Sequence, residues 1–476
     1  MLSTILQHLL AAVFLSGAAL AQSPAQPSAP VQSQSAPAPP ETHITQQQAE
    51  ELFRSVDEIL RFASQDTGLP LRRPVKRALV SRDQAEKYIQ DRMEKDKDAQ
   101  RLRRSEMVLK KFGLLPRNFD LQTFLIALLR EQVAGYYDPK SKTVNLLDWV
   151  NADVQKPVLA HELTHALQDQ DFGLERWLKD GPPEEKKEAE VQDDEAVAAR
   201  QAVSEGQAMV VLTDYELAPL GKSILDAPDI VAAMKAGAAA GSPMFNSAPL
   251  YIKDSLTFPY TYGLDFERTL LQRKGKEAAF DGVLRHPPLN TREVMQPAVY
   301  LAGDRIAPLH PPNLEKVLGK SWEKMDVGGV GEFDLSVMLE QYAGEDVAHS
   351  LWPQWRGGYY YAARQKGAAP QSLALLYLSQ WAEPEQATKF AGIYAASLNK
   401  KYNQLKTLAA PPQKAAAGAG SVQVSIADLA EEWDTEDGPV FVEPHGKLVL
   451  VMEGFDVPTA AKLRAAVLPG SSTGRD

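Results

Sequence analysis

Two histidines and a glutamate lie within five residues at the spacing that a metal site requires. The segment is His161-Glu162-Leu163-Thr164-His165. On a helix, residues i and i+4 lie one above the other, so both imidazoles can bind the same ion. Glu162 lies one step around the helix, where its carboxylate can take a proton from a water bound to that ion. The spacing therefore predicts a zinc site with a general base beside it.

The residues around this segment favour a buried helix. Pro157 suits the first turn of a helix. It is followed by an apolar stripe made of Val158, Leu159, Leu163, Ala166 and Leu167. Polar side chains on such a helix are costly to bury unless a metal ion satisfies them. The alternative is a surface helix with two spaced histidines and a solvated glutamate.

Two short segments upstream of the helix have the composition of β-strands. Val133–Tyr137 and Thr143–Leu146 flank a turn at Asp138–Ser141. Thr143–Leu146, next to the metal helix, is a candidate for the edge of the active site, where the backbone of an extended peptide could pair. An ordinary hairpin is the alternative.

The segment from Val133 to Tyr215 resembles the zincin metallopeptidases, and among them the gluzincins, whose third zinc ligand is a Glu on a later helix. The run from His165 to Gln170 also resembles secreted bacterial metallopeptidases of unassigned substrate. A metzincin would have a third His six residues after His165, where this chain has Asp171. The resemblance implies a mainly helical catalytic domain with a small edge sheet, a Glu ligand and Zn²⁺ as cofactor.

Two glutamates on a long predicted helix, Glu190–Tyr215, are candidates for the third ligand. Glu205 lies in the segment Ser204–Ala208, which resembles the Glu-Gly-x-Ala context of the third ligand in gluzincin aminopeptidases. Gly206 fits a close approach to the metal helix. Glu195 ends a run of three acids, which is more typical of a solvated helix start. His161, His165 and Glu205 are therefore the predicted metal ligands, with Glu195 as the alternative.

Hydrolysis at such a site also needs a group that stabilises the oxyanion. The candidates, in order, are Tyr260, Tyr262 and His286, which lie in the polar aromatic segments Phe258–Gly263 and Arg285–Pro288. For each of them a packing role is the alternative.

A ligand imidazole also needs a hydrogen-bond partner that holds its orientation. Asp169, four residues after His165, is a candidate acceptor, and a solvated carboxylate at the end of the helix is an equally good interpretation. Gln168 is a weaker candidate. The stretch Pro287–Thr291 also resembles the secreted metallopeptidases.

Residues 1–21 have the features of a secretory signal. An apolar core, Leu9–Leu15, precedes a small-x-small cleavage site that ends at Ala21. Cleavage there predicts a secreted or periplasmic protein with no stable membrane span, since the apolar stretch is short. Residues 22–44 are rich in Pro, Ala, Ser and Gln, which predicts a disordered linker.

Composition narrows the chemistry further. The chain has no cysteine, which excludes disulfides, thiolate ligands and a cysteine nucleophile. Its formal net charge of −11 and its pI of about 5.4 argue against a nucleic-acid partner.

Residues 304–476 have a different pattern from residues 45–303, which we take as the catalytic domain. They predict two strand-strand-helix units and hence a four-stranded antiparallel sheet with two helices. The units are Tyr359–Arg364, Ser372–Trp381 and Pro384–Asn399, then Val440–Glu443, Leu448–Met452 and Pro458–Val467. The expected fold class is therefore α+β, with a C-terminal accessory domain.

The expected activity, implied by the resemblance, is that of a secreted zinc peptidase acting on a peptide or protein. An endopeptidase is favoured because the chain has no Gly-x-Met-x-Asn stretch of the aminopeptidase kind. One alternative is a non-catalytic binding or assembly protein of the cell envelope, with a structural or degenerate zinc site in which Glu195 joins Glu205. Another is an amidase acting on peptidoglycan peptides. Substrate preference, oligomeric state and the role of the helices before Lys111, integral or inhibitory, stay open.

Overall fold

The computed structural model describes residues 43–95, 97–132, 135–181, 193–230, 232, 243–369, 372–409 and 431–468. The predicted signal and nearly all of the predicted linker lie outside these ranges. The described part is a mixed α+β structure, in agreement with the expected fold class. Within it, no helix combines the length and the apolar character needed to cross a membrane.

The described part of the chain begins with helices on either side of a short strand. The elements are α1 (Gln46–Thr67), β1 (Lys76–Val80), α2 (Arg82–Lys95), α3 (Lys97–Phe112) and α4 (Leu121–Gln132). Thr45 caps α1 in a capping box with Gln48, and Gly68 ends the helix in the left-handed conformation. The buried face of α1 includes Leu52, Val56 and Ile59, and it packs against the metal helix.

A three-stranded sheet lies beside the metal helix. The predicted hairpin forms β2 (Tyr136–Asp138) and β3 (Thr143–Leu147), which pair in antiparallel register. The strand that sequence patterns missed, β1, pairs with β3 in parallel, from Lys76 opposite Thr143 to Val80 opposite Leu147. The order is therefore β1-β3-β2. The prediction that Thr143–Leu146 is an edge is wrong, because β3 pairs on both sides and the edge strands are β1 and β2.

The central helices are α5 (Ala152–Phe172), α6 (Leu174–Asp180), α7 (Asp193–Leu217), α8 (Pro243–Ser247) and α9 (Leu250–Lys274). The metal helix α5 begins earlier than predicted, with Asn151 as its N-cap. Pro157 therefore lies inside the helix, where it removes one backbone donor, and not in the first turn. The segment Phe258–Gly263 is part of α9.

Short elements connect the helices to a large sheet. They are a π-helical turn (Ala278–Gly282), α10 (Val283–Arg285), α11 (Thr291–Met295), α12 (Pro297–Ala302), α13 (Leu314–Leu318), α14 (Glu332–Ala343) and α15 (Glu345–Leu351). Later helices are α16 (Pro384–Lys401) and α17 (Val457–Val467).

The large sheet has seven strands where four were predicted. They are β4 (Trp322–Gly329), β5 (Trp355–Gln365), β6 (Ala374–Trp381), β7 (Leu405–Ala409), β8 (Glu431–Thr435), β9 (Val440–His445) and β10 (Leu448–Glu453). The order is β4-β5-β6-β10-β9-β8-β7, with antiparallel pairing throughout. The two predicted strand pairs, β5–β6 and β9–β10, lie in the middle and join through β6 and β10.

The main apolar core runs through both the helical part and one face of this sheet. Phe112, at the end of α3, packs edge-on against Tyr377 of β6, with ring centroids 5.3 Å apart. Its neighbour Lys111 lies 3.3 Å from a carboxylate oxygen of Asp437, in the turn between β8 and β9. The apolar core is therefore continuous across the boundary predicted near Gly303.

Candidate metal centre

Three buried side chains from two helices meet at one point. His161 and His165 come from α5, and Glu205 comes from α7. Oε2 of Glu205 lies 3.1 Å from Nε2 of His161 and 3.3 Å from Nε2 of His165, and the two Nε2 atoms are 3.1 Å apart. In the part of the chain that the structure describes, this is the group of His, Asp and Glu side chains that could hold a metal ion.

The electrostatics of the group favour a bound cation. Burial disfavours an ionised Glu205, but His165 and His161 outweigh it and lower the pKa of Glu205 to about 2. Burial also disfavours a charged His165, yet the adjacent Glu205 raises the pKa of His165 to about 9. Burial lowers the pKa of His161, which keeps that imidazole neutral. The site thus holds a buried anionic carboxylate that stabilises positive charge next to it.

Glu195, the alternative third ligand, has a different role. Its Oε2 accepts hydrogen bonds from the backbone N–H and the hydroxyl of Thr291, at 3.0 and 2.8 Å. The carboxylate lies so close to Gly331 that a Cβ atom there would overlap it. Burial and the nearby Asp334 raise the pKa of Glu195 to about 7. Glu195 therefore fixes the end of the Pro287–Thr291 stretch and is not part of the ligand group.

The orientation of His165 is set by Gln168. Oε1 of Gln168 lies 2.9 Å from Nδ1 of His165 and also accepts the hydroxyl of Ser204 at 2.9 Å. Nε2 of Gln168 donates to the carbonyl of Ser204 at 3.1 Å and to Oε1 of Gln207 at 2.9 Å. Because the amide nitrogen is fully used, the oxygen must face His165. When a metal ion replaces the proton on Nε2, His165 keeps its other proton on Nδ1, bonded to Gln168.

The expectation that Asp169 holds a ligand imidazole is wrong. Asp169 accepts hydrogen bonds from the Tyr137 hydroxyl at 2.8 Å, the Lys142 ammonium at 2.7 Å and the backbone N–H of Leu174 at 3.1 Å. It ties the β2–β3 hairpin to α5. It lies four residues after His165, but the hydroxyl of Tyr137 is nearer to its carboxylate than any ligand imidazole is.

Glu162 has two oxygens in unlike surroundings. Oε2 accepts the backbone N–H of Tyr137 at 2.7 Å. Oε1 is buried and has no hydrogen-bond partner among the described residues. Burial raises the pKa of Glu162 to about 7, close to the value that suits a group which must both accept and return a proton. The carboxylate is thus fixed through one oxygen and available through the other.

Tyr260 is the oxyanion candidate that lies at the site. Its ring stacks on that of His161, with centroids 6.3 Å apart and planes 26° apart. Burial and the charge of Glu205 raise the pKa of Tyr260 well above its usual value, so the phenol keeps its proton. A protonated phenol beside a metal site can donate a hydrogen bond to a developing negative charge.

A glycine contact between α7 and α9 places Tyr260 there. A Cβ atom at Gly206 would collide with the carbonyl of Gly263, and one at Gly263 would collide with the carbonyl of Ala202. Gly206 therefore permits a close approach to α9, and the expectation that it serves the approach to the metal helix is wrong. The glycine that follows Glu205 brings Tyr260, three residues before Gly263, to the ligand group.

The other two oxyanion candidates lie elsewhere. Tyr262 lines a cavity of about 350 Å³ between α9 and α14, together with Phe333. His286 lines a second cavity of about 370 Å³, and its backbone carbonyl accepts the hydroxyl of Tyr300 at 2.6 Å. Neither cavity contains a metal-ligand candidate or Glu162. The structure therefore does not bring Tyr262 or His286 to the site.

The cavity at the ligand group itself is small, about 30 Å³. Its walls include Glu162, His165 and Glu205, and beyond them Tyr88, Tyr136, Tyr137, Pro139, Leu174, Leu178 and Ser204. Sequence reasoning did not identify the tyrosines or Ser204 as site residues. Ser204 could have been found, since it directly precedes Glu205, whereas Tyr88 comes from a helix with no sequence signal connecting it to the site.

Comparison of the chain with models of protein families, with curated proteins and with solved structures finds no match.

Proposed function

We propose that this protein is a zinc-dependent peptidase that hydrolyses peptide bonds, with Glu162 as its general base. The observation that carries the proposal is a carboxylate with one fixed and one available oxygen directly beside a His, His, Glu ligand group. A zincin-type catalytic domain of the gluzincin kind would have this arrangement, with two ligands from one helix and the third from a later one.

The ligand group fits zinc. For tetrahedral Zn²⁺ with bonds of about 2.0–2.1 Å, neighbouring ligand atoms lie ~3.3–3.4 Å apart. The three distances between ligand atoms here are 3.1, 3.1 and 3.3 Å. Two imidazoles and one carboxylate are a common zinc set that leaves a fourth position for water or substrate. Bound zinc would supply a water of lowered pKa and polarise the scissile carbonyl.

Four residues of the chain would carry out the proton transfers, stabilise the oxyanion and orient the ligand. Oε1 of Glu162 takes the proton from the attacking water and passes it to the leaving amine. The backbone N–H of Tyr137 holds Oε2, so that the carboxylate keeps its orientation through both transfers. The Tyr260 hydroxyl donates to the carbonyl oxygen as negative charge develops on it. Gln168 keeps Nε2 of His165 directed at the metal position.

The geometry favours catalysis over a structural zinc site. A structural site is closed by four protein ligands, whereas a catalytic site keeps one position open. Glu195, the expected fourth ligand of a structural site, is bound to Thr291. The described residues offer three ligand atoms at this point. The proposed substrate is a peptide or protein, cut internally, and the signal-like segment at 1–21 supports a secreted or periplasmic location.

The test is cleavage of a mixed peptide library, followed by mass spectrometry. The zinc-loaded protein should cleave, and chelation should abolish cleavage. Glu162→Gln should reduce the rate at least about a thousandfold while still binding one zinc ion, because the amide cannot accept the proton. Glu175→Gln, on the exposed surface of α6, is the matched control and should cleave normally.

Two results would contradict the proposal. Full activity of Glu162→Gln would remove the proposed general base. No cleavage by any form, despite one bound zinc ion, would favour the non-catalytic envelope protein instead.

A further inference from the structure

A helix that precedes the site in sequence covers the edge strand beside it. The ring of Tyr88, on α2, stacks on the ring of Tyr136, on β2, with centroids 4.6 Å apart and planes 21° apart. The Tyr88 hydroxyl also donates to Oδ1 of Asp138, at the end of the same strand, at 3.2 Å. Tyr88 thus contacts both ends of β2.

Strand β2 is where an extended peptide would have to bind. It is one of the two edge strands of the small sheet, and it lies directly beside Glu162. Peptides commonly bind such an edge as an added strand. In this structure, the Tyr137 amide is bonded to Glu162, and Tyr88 forms part of the cavity wall. The cavity of about 30 Å³ holds a water molecule or two, but no peptide.

The segments on both sides of α2 are integral parts of the fold. Strand β1, just before it, pairs with β3 over five residues. Helix α3, just after it, buries Leu102, Leu109 and Phe112 in the main core. Removal of the chain up to the end of α2 would therefore destroy the small sheet, so α2 is not a propeptide that a single cut could release.

The side chains of α2 that the structure describes, those of residues 82–88 and 90, bury little apolar surface. Of its side chains that the structure describes, only that of Ala85 is fully buried. Segments with little buried apolar surface open at low free-energy cost. A helix that joins two stable elements, and whose described side chains bury little apolar surface, can swing away without unfolding the domain.

We propose that α2 is a tethered cap that closes the metal site, with Tyr88 as the contact that holds it shut. An extended peptide gains access to β2 and Glu162 by displacing Tyr88 from Tyr136 and Asp138. The protein is thus inactive when α2 lies on β2 and active when α2 has moved away. This inference rests on the proposed peptidase function for its substrate, but the closure of the metal site is independent of that function.

The test is a reversible cross-link between helix α2 and strand β2. Because the chain has no cysteine, the double variant Tyr88→Cys/Tyr136→Cys has two unique thiols. A short bis-methanethiosulfonate reagent joins them through disulfides that a reductant reverses, and mass spectrometry verifies the link. Each single-cysteine variant, treated in the same way, is the matched control. Two rates are measured: transfer of zinc to a bulky chromogenic chelator, and cleavage of the peptide library.

Cross-linking should slow both rates at least about tenfold, and reductant should restore them. Tyr88→Ala should raise both rates several-fold over those of the unaltered protein, and Tyr88→Phe, which keeps the ring, should lie between the two. An equal rate of zinc transfer in the linked and unlinked protein would contradict the proposal that α2 is a cap. If no form cleaves peptide but linking still slows zinc transfer, the cap stands and the peptidase proposal fails.

Discussion

Gln168 uses the whole hydrogen-bonding capacity of its amide to orient one ligand. Its oxygen accepts from His165 and Ser204, and its nitrogen donates to Ser204 and Gln207. Gln207 in turn donates to the carbonyls of Ala279 and Phe280 in the π-helical turn. The ligand imidazole is therefore held by a network that connects α5, α7 and the turn after α9.

Loss of this amide should weaken metal binding. Gln168→Ala should reduce zinc affinity about 10–100-fold, because His165 loses the acceptor that fixes its tautomer and ring orientation. Competition with a chromogenic chelator measures the affinity. Gln170→Ala is the matched control on the same helix, since Gln170 binds the backbone at Arg72 and Arg73. Equal affinities of the two variants would show that Gln168 has no orienting role.

Tyr260 and Tyr262 offer a matched pair for the oxyanion role, since both lie on α9 but in different surroundings. Tyr260→Phe should lower kcat about 10²–10³-fold with little change in KM, because the lost hydrogen bond is made mainly in the transition state. Tyr262→Phe should leave kcat unchanged. Steady-state kinetics with one peptide substrate measure both. A normal kcat for Tyr260→Phe would assign the oxyanion to another group.

From the sequence, the residues of the ligand group could be predicted, but the hydrogen-bond partner that orients His165 could not. The spacing of His161, Glu162 and His165 is a local property, so it could be read directly. Which of Gln168 and Asp169 bonds to His165 cannot be decided from the metal helix alone. Both lie within one turn of His165, and the decision depends on Ser204 of α7 and on Tyr137 of β2.

Among the elements, the contact of α7 with α9 determines the geometry of the site. Gly206→Ala places a methyl group against the carbonyl of Gly263. Such overpacking in a closely packed helix pair typically costs about 1–3 kcal/mol, and here it also pushes Tyr260 away from Glu205. We expect lower stability in urea and lower activity together.

The control for this change is Gly392→Ala in α16. A Cβ atom at Gly392 meets no atom within 4 Å. Alanine there should stabilise the protein by roughly 0.5–1 kcal/mol, because glycine in a helix interior is unfavourable. A Gly206→Ala protein as stable and active as the unaltered chain would mean that the two helices can move apart without loss.

The elements that sequence patterns missed share one property: they pair with partners distant in sequence. Strand β1 pairs in parallel with β3, more than sixty residues later, and carries no hairpin signal. Strands β4, β7 and β8 extend a sheet whose middle strands form recognisable hairpins. Local alternation and turn residues identify hairpins, but they say nothing of which strands later join them.

For the whole molecule, the change in sequence pattern near Gly303 predicted two domains, while the packing shows one main core. Phe112 of the helical part contacts both Tyr360 and Tyr377 of the large sheet. Arg117, shortly after α3, lies 3.2 Å from a carboxylate oxygen of Asp437. Contacts of this kind form between residues hundreds of positions apart, so composition along the chain does not reveal them.

A chain that ends at Gly303 should therefore fail to fold cooperatively. It would expose Phe112 and the apolar surface of α3 that the large sheet covers, and it would leave Lys111 without Asp437. We expect residues 43–303 alone to lack a cooperative thermal transition and to bind zinc weakly, whereas residues 43–476 unfold in one transition. Calorimetry and near-ultraviolet circular dichroism measure this. Cooperative unfolding of the shorter chain, with normal zinc affinity, would instead establish the helical part as an independent catalytic domain, and the sheet would then be an accessory that the metal centre does not need.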